Sequence, residues 1–242
     1  MKPGARLAWI RPDDPPDTFP DPRCAFDQPN GLLAAGGDLS PERLLAAYGR
    51  GIFPWYGAGE PILWWCPDPR AVLLPRELHV SRRLARTARS GRFMVSVDQA
   101  FSDVIHACAA TRGEAATWLT PEMIAAYCRL HELGLAHSVE SWSAGRLAGG
   151  VYGISLGSIF FGESMVSLMP DGSKIALVKL AALAADLGIG LIDCQVPNPH
   201  LLRLGAVLMP REDFLAQVSC GTRELPQRRL QAEPAGAVPL RP

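Results

Sequence analysis

Residues 173–196 read SKIALVKLAALAADLGIGLIDCQV, and this stretch decides the fold class. Lys174–Leu187 is apolar on nearly every side of a helical projection, so the helix it predicts is buried. Ser173 stands where an N-cap is expected. Leu191–Val196 follows as a short buried strand. A buried helix feeding a buried strand belongs to an α/β (α+β) domain with a mixed sheet. The apolar run Ile175–Leu187 is interrupted by Lys179 and Asp186 and is too short to span a bilayer, so no membrane partner is expected.

Working outward, Ser138–Trp142, Leu147–Ile154 and Ser158–Gly162 alternate as strands in hairpin spacing, with a turn at Ser143–Gly145. Upstream, Thr120-Pro121-Glu122 opens a helix that ends at Gly134. Before it lie a strand at Ala71–Leu74, a helix at Ser81–Ser90, a strand at Phe93–Val97 and a helix at Asp98–Cys108. Ser40-Pro41-Glu42 starts an earlier helix that stops at Gly49 or Gly51. It is followed by an aromatic-rich segment from Ile52 to Trp65. Cys66-Pro67-Asp68-Pro69 continues neither helix nor strand and marks a boundary. The expected organisation is therefore an N-terminal arm and small lobe over 1–68, a larger α/β domain over 69–221 that includes a last helix at Arg211–Val218, and a disordered tail over 222–242. Residues 1–30 hold seven of the chain's 22 prolines, show no hydrophobic period and read as an extended arm.

Composition narrows the function. The 242 residues carry 24 Lys+Arg and 24 Asp+Glu, and a net charge of zero argues against wholesale coating of nucleic acid. Within that balance, residues 76–92 hold six arginines against the single acid Glu77. On a helix, Arg82, Arg86 and Arg89 fall on one side, with Arg83 beside them, a stripe suited to phosphates. Six dispersed cysteines without a C-x-x-C pair, and no secretory n- and h-region, point to a reducing cytoplasm. His131 and His137 flank Glu132 but are six apart on opposite sides of Gly134, so a metal-binding helix is not expected. No glycine-rich nucleotide loop is present, and neither metal nor cofactor is expected.

Two places carry chemistry. Asp193 and Gln195 lie in an otherwise apolar strand, on one face, with Cys194 opposite. A carboxylate there is solvated, paired or functional, because burying a lone charge is costly. Glu163, directly after Ile159-Phe160-Phe161-Gly162, reads either as a functional acid or as a surface acid in a turn.

Several uncommon strings in the same order resemble the leucyl/phenylalanyl-tRNA–protein transferases. They are Pro29–Ala34, Gly36–Ser40, Gly51–Tyr56, Trp64–Arg70, Ala136–Glu140, Phe161–Met165 and Leu191–Gln195, and the similarity spans about residues 29–216. The resemblance implies a bacterial cytoplasmic aminoacyltransferase, expected as a monomer. Such an enzyme moves Leu, Phe or, less well, Met from aminoacyl-tRNA to an N-terminal Arg or Lys of an acceptor protein, creating a degradation signal. It implies a small N-terminal lobe on an N-acetyltransferase-like domain. The acyl-CoA signature of that superfamily is not evident, as suits a tRNA donor. By matching motif, Trp55 and Trp118 are expected around the 3′-adenosine. Met165, Leu177, Leu180 and Ile192 are expected to line the side-chain pocket. Asp193 and Gln195 match the catalytic pair, Glu163 the acid beside it, and Arg82, Arg83, Arg86 and Arg89 the tRNA-binding helix.

Some positions depart from the family pattern: Val166 and Cys66 stand where Phe and Ser are usual, and Leu180 and Ala184 replace larger aromatics. Pro170-Asp171-Gly172 alters the approach to the buried helix. The expected mechanism is aminolysis of an activated ester, in which Asp193 orients Gln195 and helps hold the amine proton. Gln195 then holds the ester carbonyl or the amine, and a route assisted by the adenosine 2′-hydroxyl is equally compatible. Glu163 or Asp193 is expected to pair with the cationic acceptor. The alternatives are a small-molecule acyltransferase using coenzyme A and a non-catalytic RNA-binding protein.

Overall fold

The computed structural model describes residues 7–111, 118–223 and 230–239. Residues 1–6 of the expected arm, and 224–229 and 240–242 of the expected tail, lie outside the described residues. The lobe contains β1 (Ala8–Ile10), β2 (Leu32–Gly36), α1 (Pro41–Tyr48), β3 (Phe53–Pro54) and β4 (Leu63–Trp65). Its four strands run in the order β1-β2-β4-β3, with β1 parallel to β2 and the other pairs antiparallel. As the sequence predicts, Ser40 caps α1 through the Arg43 N–H, and Pro41 occupies the first turn.

The arm is not merely extended. Arg43, 1% exposed, donates to the carbonyls of Asp14 at 2.8 Å and Pro15 at 3.2 Å, and to Asp38 at 2.9 Å. Arg50 donates to the carbonyls of Phe19 and Pro20. Proline-rich chain has few N–H groups with which to build a ladder, and here its carbonyls are gathered by two guanidinium groups instead.

The second sheet begins at β5 (Arg70–Leu73) and continues through α2 (Arg82–Arg89), β6 (Met94–Val97), α3 (Phe101–Ala110), α4 (Pro121–Glu132), β7 (Ala136–Ser143), β8 (Arg146–Leu156), β9 (Ile159–Ser167), α5 (Gly172–Asp186), β10 (Leu191–Gln195), α6 (Pro199–Arg203), β11 (Val207–Met209), α7 (Arg211–Arg223) and β12 (Glu233–Ala237). The strand order is β11-β5-β10-β9-β8-β7-β6-β12. Every neighbouring pair is antiparallel except β9 and β10, which run parallel and are joined by α5. That crossover is what a parallel pair requires, and it makes the sheet mixed and the class α/β, as the 173–196 stretch indicates.

Side chains alternate across this sheet. Val139, Val151, Phe160 and Ile192 pack with Leu177 and Leu180 of α5, while Ala136, Tyr152, Ile154 and Phe161 join the core beneath α1, α3 and α4. β8 is thin where helices press on it. A Cβ on Gly149 would meet the Gly172 backbone at 2.6 Å, and one on Gly150 would meet Val104 of α3 at 2.7 Å.

Four local expectations change. Asp171, not Ser173, occupies the cap position of α5, with φ 71° and no side-chain capping bond; Ser173 lies in the first turn and donates its N–H to Ser167 Oγ. Helix α3 begins at Phe101 because Asp98 turns away at φ 55° and accepts the Ser138 N–H. β9 runs on to Ser167, so Glu163 sits in a strand and not in a turn. The tail expected to be disordered contains β12, which pairs with β6 and brings Glu233 onto Lys179. Among the described residues no helix is long and apolar enough to cross a membrane.

Candidate active site

The end of β10 and the middle of β9 place three polar side chains inside one cleft of about 370 Å³. Its walls are apolar: Phe53, Val151, Met165, Ile192 and Leu201 line it, with Trp55 and Trp118 completing the aromatic side. Trp55 is 43% exposed and Glu163 7%, so the tryptophan stands at the mouth and the acid at the floor. Trp55 is held by its carbonyl, which accepts Trp65 Nε1–H at 2.6 Å, and by edge contact with that ring.

Asp193 is wholly buried and forms a two-bond pair with the equally buried Arg70: Nε to Oδ1 at 2.8 Å and Nη2 to Oδ2 at 2.7 Å. Arg70 is stacked between Phe53 and Phe214, 4.7 and 4.5 Å from their centroids. Asp193 Oδ1 also accepts the Gln195 backbone N–H at 2.9 Å. That bond holds Gln195 at φ 61°, where the ladder to β5 is irregular. The simple alternation expected of Asp193, Cys194 and Gln195 fails at this strand end, and all three border the cleft. Cys194 is half-buried, and desolvation and then the Asp193 charge push its thiol far above the usual range, which disfavours the thiolate.

Gln195 turns its side chain to Glu163, with Nε2 donating to Oε1 at 2.8 Å. Glu163 is held from the opposite side by two phenols, Tyr48 Oη at 2.7 Å from Oε1 and Tyr127 Oη at 2.7 Å from Oε2. Burial raises its pKa to about 7, with the phenol bonds opposing and Asp193 reinforcing. Tyr48, Tyr127 and Arg70 went unrecognised in the sequence. Arg70 belongs to the quoted Trp64–Arg70 string, but nothing local in α1 or α4 marks either tyrosine.

Of the residues singled out from sequence, Trp55, Trp118, Met165, Ile192, Glu163, Asp193 and Gln195 meet in this cleft. Leu177 and Leu180 do not border it: they are buried on α5 and pack against Ile192 and Val151, two residues of the cleft wall, so they lie one layer behind it. The arginines lie elsewhere, on α2, which buries Leu84 and Ala88 and exposes Arg82, Arg83, Arg86 and Arg89. Arg83 pairs with Asp171. His131 stacks on Phe101 and His137 bonds Asp98, on separate elements. Among the described residues no cluster of three or more His, Cys, Asp or Glu is placed to hold a metal.

An apolar cleft that closes on a carboxamide and an acid, with no activated nucleophile, suits transfer of an acyl group already activated elsewhere. Comparison with known proteins gives that class a family. Residues 72–219 match the model for leucyl/phenylalanyl-tRNA protein transferase, and residues 37–68 match the model for its N-terminal domain. The chain is 58% identical over 213 residues to the leucyl/phenylalanyl-tRNA–protein transferase of Nitratidesulfovibrio vulgaris (strain DP4), covering 85% of this chain and 91% of that protein. It is 55% identical over 226 residues to the protein of the same name from Alkalilimnicola ehrlichii, covering 93% and 87%. Among solved structures, a GCN5-related N-acetyltransferase from Kribbella flavida aligns at a TM-score of 0.37 with 12% identity, over 70% of this chain and 61% of that one. The chain belongs to the leucyl/phenylalanyl-tRNA protein transferase family.

Proposed function

We propose that this protein moves an aminoacyl group from the 3′ end of aminoacyl-tRNA to the α-amine of an acceptor polypeptide. The donors are Leu-, Phe- and, less well, Met-tRNA, and the acceptors begin with Arg or Lys, so that the new N-terminus marks the protein for degradation in the cytoplasm. One observation carries the reading: a single apolar cleft ends on Gln195 and Glu163 in direct contact, with aromatic residues at its mouth.

The amine nitrogen attacks the ester carbonyl, the new C–N bond forms, and the ester C–O bond breaks, so that the tRNA 3′-oxygen leaves with a proton. The ester is already activated, so positioning, at about 7–11 kcal/mol of barrier, outweighs a general base contributing about 10²–10⁴ in rate. Gln195 does the positioning. Its Nε2 is fixed on Glu163, and among the described residues its Oε1 has no protein partner, leaving that oxygen to accept an N–H of the incoming amine. Asp193 does not take the proton, since Arg70 and the Gln195 N–H occupy its oxygens. Its role is to hold the turn that presents Gln195, and the acid facing the acceptor is Glu163. Arg82 and Arg86, exposed and without acidic partners among the described residues, suit the tRNA backbone.

A transfer assay tests this. Purified protein is given Leu-tRNA carrying labelled leucine, with a peptide beginning with Arg beside the same peptide beginning with Ala. Label on the Arg peptide alone is expected. Absence of label on both, from folded protein that binds the charged tRNA, refutes the reading. Glu163→Gln is expected to impair use of the acceptor more than binding of the aminoacyl-tRNA.

A further inference from the structure

The hydrogen bonds at the floor of the cleft do not balance unless the acid carries a proton. Three oxygen–oxygen contacts of 2.7 Å form a closed triangle: Tyr48 Oη with Glu163 Oε1, Tyr127 Oη with Glu163 Oε2, and Tyr48 Oη with Tyr127 Oη. Each contact at that length needs one hydrogen between its oxygens. Two phenols supply two. With an ionised carboxylate, one side of the triangle sets lone pair against lone pair. With a protonated carboxyl the count closes: Glu163 Oε2 donates to Tyr127, Tyr127 to Tyr48, and Tyr48 to Glu163 Oε1. Oε1 is then the carbonyl oxygen, free to accept Gln195 Nε2–H as well.

The surroundings favour this state. Tyr48 on α1 and Tyr127 on α4 are buried and pushed well above the usual phenol range, so the removable proton is the carboxyl's. Tyr152 on β8 lies beside Tyr127, their ring centroids 5.8 Å apart. The charges nearest Glu163 are Asp193 on β10 and Arg70 on β5, and these neutralise each other. Asp103 and His106 of α3, and Glu212 and Asp213 of α7, are exposed. Arg211 of α7 is buried, and its backbone N–H donates to Asp68. Lys174 and Lys179 of α5 pair with Asp171 and Glu233.

We propose that Glu163, Tyr48 and Tyr127 hold three protons as one neutral cluster, and that a positively charged acceptor displaces one of them on binding. The second half rests on the reading of this cleft as the acceptor site. Without acceptor, the floor carries no net charge and accommodates an apolar aminoacyl side chain without stripping water from an ion. When the cation arrives, the carboxyl proton leaves to solvent, Glu163 becomes the counter-ion, and the triangle opens between the two phenols. Acceptor affinity therefore rises up to tenfold per pH unit while the carboxyl is protonated, and levels off once it is ionised.

Infrared difference spectra test the proton count without substrate or activity. Wild type minus Glu163→Gln is expected to show a protonated-carboxyl C=O band at pH 6 that fades above neutral pH. In Tyr127→Phe, which removes a donor to the carboxylate, the band should survive to higher pH. No band dependent on Glu163 at pH 6 overturns the cluster. Displacement is read by calorimetry at pH 6 with a peptide beginning with Arg, in two buffers of different protonation heat. Close to one proton released by wild type and none by Glu163→Gln is expected. Binding without proton release overturns displacement. A carboxyl band without any peptide binding refutes the acceptor site, and the displacement with it, while the neutral cluster stands.

Discussion

Replacing Asp193 with Asn tests whether the carboxylate is a structural counter-ion or the proton acceptor. The substitution keeps the shape but leaves Arg70 charged, wholly buried and unpaired between Phe53 and Phe214. Two charge-assisted bonds of 2.7 and 2.8 Å are weakened at once, each worth about 1.5–3 kcal/mol. Removing one partner of a buried pair costs about 3–5 kcal/mol, because the other charge stays desolvated. For a chain of this size that corresponds to a fall of roughly 6–20 °C in Tm. Urea unfolding followed by circular dichroism measures the loss directly. The double variant Arg70→Met with Asp193→Leu removes both charges and should recover most of the stability. Transfer should stay impaired in it, because the Gln195 N–H has lost its anchor. Asp193→Asn also leaves Arg70 unopposed near Glu163, so Glu163 should ionise at lower pH than in wild type. A single variant within about 1 kcal/mol of wild type would refute the burial argument.

The raised pKa of Glu163 has a thermodynamic consequence: between about 4.5 and about 7 the folded protein keeps a proton that the unfolded chain has lost. Stability relative to Glu163→Gln should therefore be greatest below about pH 4.5, where both states hold the proton, and fall by roughly 3 kcal/mol by neutral pH; parallel urea midpoints across that window would contradict it. For tRNA, Arg82→Ala with Arg86→Ala should lower affinity and make the slope of log K against log salt shallower by up to about 2, measured by filter binding at several salt concentrations. An unchanged slope would place the tRNA elsewhere. Gly153→Ala on β8 should destabilise by about 3 kcal/mol or more, because its Cβ would lie 2.1 Å from the Phe161 carbonyl oxygen. A thermal melt checks that, and a shift under 2 °C would mean that β9 gives way easily.

Much of the architecture was legible because it rests on local signals. Ser40-Pro41 and Thr120-Pro121 start helices where expected, and both cap side chains make their bonds. The all-round apolar pattern of α5 marked a helix against a sheet, and the strand after it became β10, parallel to β9. Elements without a period of their own were missed: β1, α6 and β11 are three to five residues long, and β12 exists only through its ladder to β6. The Pro-rich arm is held by Arg43 and Arg50 through backbone carbonyls, a form of order that no hydrophobic pattern announces.

The sequence by itself determined the mixed α/β class, the placement of Asp193 and Gln195 on one buried strand, and the exposed arginine face of α2. These follow from periodicity and from the cost of burying a lone charge. Only the tertiary structure decided what the charged and polar groups do. Asp193 proved to be neutralised by Arg70, 123 residues away in the chain, and Glu163 to be enclosed by phenols 115 and 36 residues away. Leu177 and Leu180, expected in the pocket, face the core behind it. The protonation of an acid depends on the groups within a few ångströms of it, and chain folding brings those groups together from distant parts of the sequence.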